Sequence, residues 1–368
     1  MLCLGLGACT AAGQCPLRWT DLSSADDPAP RQGAASAYDG IGVVLFGGHS
    51  SATGRLDDTW LWRAGDWQLA NPAAKPSRRY QHAMAFDQGR NRTVLFGGYG
   101  PNTPVLGDTW EWDGAAWVQA FPQAGPPPRY SAAMAYDANR DRVVLFGGED
   151  PFTVGLFNDT WEWDGVTWTQ RTLDNKPSQR YGHAMVFDAA QGRVVLFGGA
   201  GGGTAGEETW ELDKAGWVRR FPIHFPQWRY GHRMFYDSAR GRTVLFGGFT
   251  SAGVSAQTWE WNGADWELVT THASPSPRFF YALAFDQASG AATLFGGTSN
   301  FSDAPGATWQ ITSRSRADMD GDGFVSGADF DLYVLAFEAG EAVADFDGDG
   351  FITGQDFDLY VGTFEQGC

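Results

Sequence analysis

Short apolar segments separated by polar turns recur along this chain, and residues 79–117 show the unit most plainly: RYQHAMAFDQGRNRTVLFGGYGPNTPVLGDTWEWDGAAW. Residues 83–86 form an alternating segment, 94–96 a continuous apolar run, 109–112 a third segment, and a fourth short segment starts at Trp117. Alternation predicts strands buried on one side, whereas a run with no polar face predicts a strand covered on both. Gly97-Gly98 and Asp113-Gly114 supply turn chemistry between them.

The unit occurs six times. Its Phe-Gly-Gly triplet places the first Gly at Gly47, Gly97, Gly147, Gly198, Gly247 and Gly296, and a Trp follows at Trp60, Trp110, Trp161, Trp210, Trp259 and Trp309, a period of 49 to 51 residues. A four-stranded sheet of that size cannot bury both faces alone, so the copies must stack, and six closed in a ring leave none uncovered. Strand-four tryptophans number only five (Trp67, Trp117, Trp168, Trp217, Trp266), and the sixth unit runs out at Trp309-Gln310-Ile311. The missing strand is expected from Arg18-Trp19-Thr20 at the other end of the chain, which would close the ring and remove an open edge. Of the 17 tryptophans, only Trp228 lies outside the repeat positions.

The Arg that opens each first strand, the Gly-Gly that ends the second, and the paired aromatics of the third and fourth together resemble the kelch family, as in the central domain of galactose oxidase, over residues 17–312. The resemblance implies an all-β, six-bladed kelch-type β-propeller. Copper oxidases on that scaffold need a Cys crosslinked to a Tyr beside His ligands. Here all four cysteines (Cys3, Cys9, Cys15, Cys368) lie outside residues 17–312, which excludes that chemistry.

A second motif follows a short linker at residues 313–317. Asp318, Asp320, Asp322, Ser326 and Asp329 supply oxygens at positions 1, 3, 5, 9 and 12 of a calcium loop, with the Phe324 carbonyl at position 7 and Gly323 for the sharp turn. The spacing returns 27 residues later as Asp345, Asp347, Asp349, Phe351, Thr353 and Asp356, so two calcium ions are expected. Each loop leads into an apolar stripe at helical spacing: Phe330, Tyr333, Val334, Phe337, and Phe357, Tyr360, Val361, Phe364. Loop-then-helix duplication over residues 318–368 resembles dockerin modules, small α-helical calcium domains, and with its terminal Gly-Cys resembles the anchoring tails of some exported bacterial proteins. That implies a cohesin-like or surface-anchoring partner. In place of the polar pair that reads a cohesin stand Gly327-Ala328 and Gly354-Gln355.

Residues 1–16, MLCLGLGACTAAGQCP, read as the end of a signal peptide, so export to the medium or cell surface is expected; Leu6-Gly7-Ala8-Cys9 also fits a lipoprotein cleavage box. No stretch is long and apolar enough for a membrane span. Net charge is −17, but residues 318–368 hold 13 Asp/Glu and no Lys or Arg, which leaves 26 basic against 30 acidic groups elsewhere. A nearly neutral ring without a basic stripe gives no grip on nucleic acid.

Strand direction puts Arg31, Arg79, Arg129, Arg180, Arg229 and Arg278 at one mouth of the ring. Two readings are open: a binding face for anionic groups, which guanidinium recognises by its planar fork, or internal pairs with Asp58, Asp108, Asp159 and Glu208. Units five and six carry Gln257 and Ala307 where the acid should be, so Arg229 and Arg278 are expected to be free. With Trp228 and Tyr230 they mark the sector for a glycan or protein ligand. His82, His183 and His232 share one position that Ala34, Ala132 and Tyr281 also occupy, which points to packing; His49, His224 and His272 are scattered. No nucleophile elbow, zinc spacing or sialidase-type Asp box occurs. Carboxylates such as Glu149-Asp150 or Glu207-Glu208 keep a carbohydrate-active enzyme as the alternative, and a purely structural surface protein is the third. The reading reached is an exported, non-catalytic binding protein tethered through its calcium module.

Overall fold

The computed structural model describes residues 17–101, 104–152, 155–271, 273–299, 306–312, 317, 319, 326–346 and 351–366. The chain divides into a larger unit, Trp19–Ile311, and a smaller one that takes in the C-terminal helices.

Among its described residues the larger unit is built of β-strands, with one turn of 3-10 helix at Ala205–Glu207. Six four-stranded antiparallel sheets follow one another along it. In the second, Ala83–Asp87, Arg92–Tyr99, Val105–Trp112 and Trp117–Ala120 lie side by side in that order. Its middle strands outrun the expected segments because pairing resumes beyond Gly97-Gly98, as Leu106↔Gly98 and Val105↔Tyr99, after a register shift. Val94, Leu95 and Phe96 are buried on both sides, as their unbroken apolar run requires.

The core lies between sheets rather than within one. Between the first two, Ala35, Ala37, Val44 and Phe46 meet Met84, Leu95, Trp112 and Trp117. Strand-three and strand-four tryptophans pair within four of the sheets, as Trp112 and Trp117 do at 5.4 Å, while Leu212 stands opposite Trp217 in the fourth. Every strand-four indole then crosses to the preceding sheet. Trp117 donates to Thr59 (3.0 Å), Trp168 to Thr109 (2.9 Å), Trp217 to Thr160 (2.9 Å), Trp266 to Thr209 (2.9 Å) and Trp67 to Thr308 (2.8 Å).

The sixth sheet is completed from the N-terminal side. Arg18–Asp21 is its edge strand, beside Thr308–Thr312. Trp19 supplies the sixth indole, donating to Thr258 at 3.5 Å and packing 4.8 Å from Phe246. Leu22 N donates to the Thr308 carbonyl (2.8 Å), and Thr308 Oγ1 to Asp27 (2.7 Å).

A second circle runs through the backbone. Gly33 N donates to Phe280 O, Phe280 N to Gly231 O, Gly231 N to Gly182 O, Gly182 N to Ser131 O, Ser131 N to Gln81 O, and Gln81 N to Gly33 O, at 2.6–2.9 Å. All six residues have positive φ, between 53° and 68°. Glycine adopts this readily, whereas Gln81, Ser131 and Phe280 hold it against a side chain.

In the smaller unit, helix α1 (Gly327–Ala339) starts at a capping box made by Ser326 and Asp329, and α2 spans Gly354–Gln366. Tyr333 and Tyr360 stack face to face at 3.7 Å, with Ala317, Ala336, Ala344 and Phe346 around them. The phenols exchange roles across the repeat: Tyr333 donates to the Ala344 carbonyl and Tyr360 to that of Ala317, at 3.2 and 3.4 Å. Among the described residues no helix is long and apolar enough to cross a membrane.

Trp19 is 2 % exposed, so Trp19→Ala should cost about 3–5 kcal/mol, the range for emptying a buried aromatic site. Urea denaturation reads this directly, and an unchanged midpoint would separate the N-terminal strand from ring stability.

Candidate binding face and channel

The six arginines do not ring an open mouth as ligand groups; of the two readings of the sequence, the internal pairs with Asp58, Asp108, Asp159 and Glu208 are the ones that form. Each arginine is at most 2 % exposed. A guanidinium that enters a sheet must meet acceptors on every edge, and this site provides them. Arg79 donates Nε to Ser77 O (3.0 Å), Nη1 to Gly97 O (2.9 Å), and both Nη groups to Asp108 (2.7 Å each). Arg31 grips Asp58 and Arg129 grips Asp159 in the same two-pronged way, while Arg180 reaches Glu208. The carboxylates also accept an indole N–H from the next strand-three Trp, as Asp108 does from Trp110 at 2.7 Å.

Arg229 and Arg278 are not free either. Arg229 is held by Gly247 O and Gln257 Oε1, and Arg278 by Gly296 O and the hydroxyl of Ser276. Without a carboxylate their charge is poorly compensated, and burial pulls each down to about 10.

What faces outward is the residue after each arginine. Tyr80, Tyr130, Tyr181 and Tyr230 are half-buried there, with Gln32 and the buried Phe279 at the equivalent places. The strand pairing that follows Gly-Gly adds a second ring of side chains, Tyr99 opposite Tyr80 and Phe249 opposite Tyr230. Two aromatic patches result. In one, Tyr99 lies 5.5 Å from Tyr80 and 5.4 Å from Tyr130, with Arg55 over its ring at 4.9 Å. In the other, Tyr230 contacts Trp228 (5.6 Å), Tyr181 (5.9 Å) and Phe249 (5.5 Å). Trp228 and Tyr230 therefore do share the predicted sector, while Arg229 stays inside. The sequence reading missed the collar, although an aromatic after the arginine in five of six units was there to see.

Glu149, paired through its backbone with Tyr130, stands beside the first patch. Burial raises its carboxyl above the ordinary value, against the opposing pull of the Tyr130 hydroxyl.

His82, His183 and His232 pack edge-on against Phe46, Phe146 and Phe197 of the preceding sheets, at 5.5–5.7 Å. Burial, then neighbouring arginines, keep all three well below the ordinary histidine value and uncharged. His49 lies 5.6 Å from Tyr80, His224 pairs with Asp265 at 2.8 Å, and His272 is outside the described residues.

First strands line a central channel of two chambers. Met84, Met134, Met185, Met234, Ser36 and Leu283 border both. The wider chamber, about 270 Å³, carries Tyr38, Phe86, Tyr136, Phe187, Tyr236 and Phe285. The narrower, about 120 Å³, carries His82, His183 and Arg233.

Of the expected calcium ligands, Asp318, Asp320, Asp322, Phe324, Asp347 and Asp349 lie outside the described residues. Asp329 and Asp356 are fully buried and bracket their loops in the same way. Asp329 accepts from Met319 N and Ser326 N (2.7 and 2.8 Å), Asp356 from Phe346 N and Thr353 N (2.7 Å each). Asp345, Phe351, Ser326 and Thr353 sit at the corresponding loop ends.

Residues 16–169 match the family model described as the KLHDC2/KLHL20/DRC7 Kelch-repeats domain. The repeats within that segment are similar to kelch repeats. A solved structure titled "Structure of YjhT", a kelch propeller, shares the fold at a TM-score of 0.60 and 16% identity, over 78% of this chain and 96% of that one. No curated protein matches the chain by sequence. The antiparallel four-stranded sheets are consistent with the fold of a kelch propeller.

Replacing Asp108 by Ala strands a fully buried guanidinium; with the carboxylate itself 24% exposed, roughly 3 kcal/mol should be lost, the low end for a broken buried pair. Burial alone would raise Asp58, Asp108, Asp159 and Glu208, but arginine hydrogen bonds and charge outweigh it and lower all four. Folded values below unfolded ones mean that this stability is complete above the ordinary 3.8 and 4.5 and is lost as pH falls from there through the lowered folded values. Acid titration of Asp108→Ala should accordingly show a shallower decline than the parent; parallel curves would contradict the pairing.

Proposed function

We propose that this chain is an exported, non-catalytic binding protein. Its larger unit is a six-bladed kelch propeller that recognises a glycan or protein ligand on the aromatic face, and its C-terminal module is a dockerin-like, calcium-dependent attachment to a surface or a complex. The observation that carries the reading is the pair of aromatic patches. Half-buried Tyr and Trp rings stack on sugar faces or anchor a protein partner with little entropy to lose. The binding role passes from the buried arginines to Trp228, Tyr230, Tyr181 and their counterparts Tyr80, Tyr99 and Tyr130.

Two calcium ions fit the oxygen-rich loops, with Asp318, Asp320, Asp322, Phe324, Ser326 and Asp329 for one and Asp345, Asp347, Asp349, Phe351, Thr353 and Asp356 for the other. The buried, loop-bracketing carboxylates Asp329 and Asp356 support that assignment. Bound calcium would neutralise the crowded acids and fix each loop against its helix. A cohesin-like or surface-anchoring partner is the occupant the module suits.

A carbohydrate-active enzyme is the second reading, favoured by Glu149, whose raised carboxyl beside Tyr130 resembles a general acid.

A glycan array probed with the full chain and with Trp228→Ala tests the main reading: hits that the substitution abolishes support it, and hits that survive it place the site elsewhere. Hydrolysis of any bound glycan, lost in Glu149→Gln, would favour the enzyme. The double change Asp320→Ala, Asp347→Ala should remove the heat of calcium binding; persisting heat would locate calcium outside the loops.

A further inference from the structure

Five of the six inner strands begin with alanine, at Ala35, Ala83, Ala133, Ala184 and Ala282, and the fifth sheet begins with Arg233. Alanine keeps a channel open, whereas arginine places a cation in it. Arg233 borders the narrower chamber and the small space, about 10 Å³, enclosed by Gln81, Ser131, Gly182 and Phe280 of the backbone circle. Its side chain donates to the His232 carbonyl at 3.3 Å, a long contact, and it forms no ion pair among the described residues. No Asp or Glu lines either chamber. Burial lowers its pKa, as expected for a guanidinium removed from water without a counter-charge.

His82 stands across the same chamber. It is 3 % exposed, and neither ring nitrogen has a partner. The neutral ring carries one N–H, and buried donors of this kind are ordinarily satisfied. The six carbonyls of the backbone circle each already accept an amide hydrogen bond, and none accepts from His82. A cation without a carboxylate partner and an unsatisfied donor therefore border one chamber.

We propose that the narrower chamber is a binding site for one small oxyanion, an inorganic phosphate or sulfate or a short carboxylate, held by Arg233 with His82. The volume, about 120 Å³, is several times the roughly 10–15 Å³ that one water needs, which leaves room for a tetrahedral anion with a water. Entry runs through the wider chamber, past Met84, Met134, Met185 and Met234, whose flexible side chains can give way. The site does not rest on the outer face binding a glycan.

Thermal melting of the full chain in chloride buffer, with phosphate, sulfate or acetate added at constant ionic strength, tests this. A saturable rise of about a few degrees with at least one oxyanion is expected, and it should vanish in Arg233→Ala, which restores the alanine of the other sheets. An equal rise in both proteins, an adventitious ion only, would overturn the proposal. A second test uses the unmodified protein: crystals soaked in selenate should show anomalous density between Arg233 and His82, and its absence would overturn the site even if the variant failed to fold.

Discussion

Closure of the ring is the constraint on which everything else depends. It is made twice, by different chemistry at different radii. Near the axis, six amides donate to six carbonyls in an unbroken circle from Gly33 through Gln81, Ser131, Gly182, Gly231 and Phe280. Farther out, six indoles donate to the threonines of preceding sheets, Trp19 completing the set. Each circle needs all six members, because a gap leaves a buried donor on one side and a buried acceptor on the other. The backbone circle also asks for left-handed φ at every member, which the chain accepts even at Phe280.

Closure explains why arginine repeats without being a ligand site. Where the first strand begins, the chain turns in from the rim and exposes carbonyls that no strand can pair. One guanidinium meets a carbonyl two residues back, the Gly-Gly carbonyl and an acid at the start of strand three. Sheets five and six do without the acid, substituting Gln257 and Ser276, so the cation is tolerated on neutral acceptors. The proposed binding roles thereby fall to residues the scaffold does not need: the aromatics one position on, and Arg233 where other sheets carry alanine.

Much of the fold was legible in the sequence because its signals are repeated. The unbroken run at Val94–Phe96, the Gly-Gly pairs and the tryptophan spacing gave strand order, and a missing Trp pointed to Arg18-Trp19-Thr20 as the edge of the last sheet. The internal pairing of the arginines was legible as one of two readings, and the sequence could not decide between them for a physical reason. Sequence position fixes the face on which a side chain starts but not whether its long stem turns inward, and Arg79 turns inward to Asp108. The aromatic collar was visible as residue types, yet Tyr80 and Tyr99 become neighbours only through a bridge that follows a register shift in strands of the same sheet. Arg233 was invisible for the opposite reason: a single departure from alanine carries weight only once the channel and its lack of acids are known.

The most direct test of the account is native-state hydrogen exchange at the amides of Gly33, Gln81, Ser131, Gly182, Gly231 and Phe280. If the circle closes the ring, all six exchange only through global unfolding, with one common free energy that falls together in Trp19→Ala. Fast or widely differing exchange among them, under conditions where strands such as Val94–Phe96 remain protected, would contradict closure as the interaction that holds the molecule together.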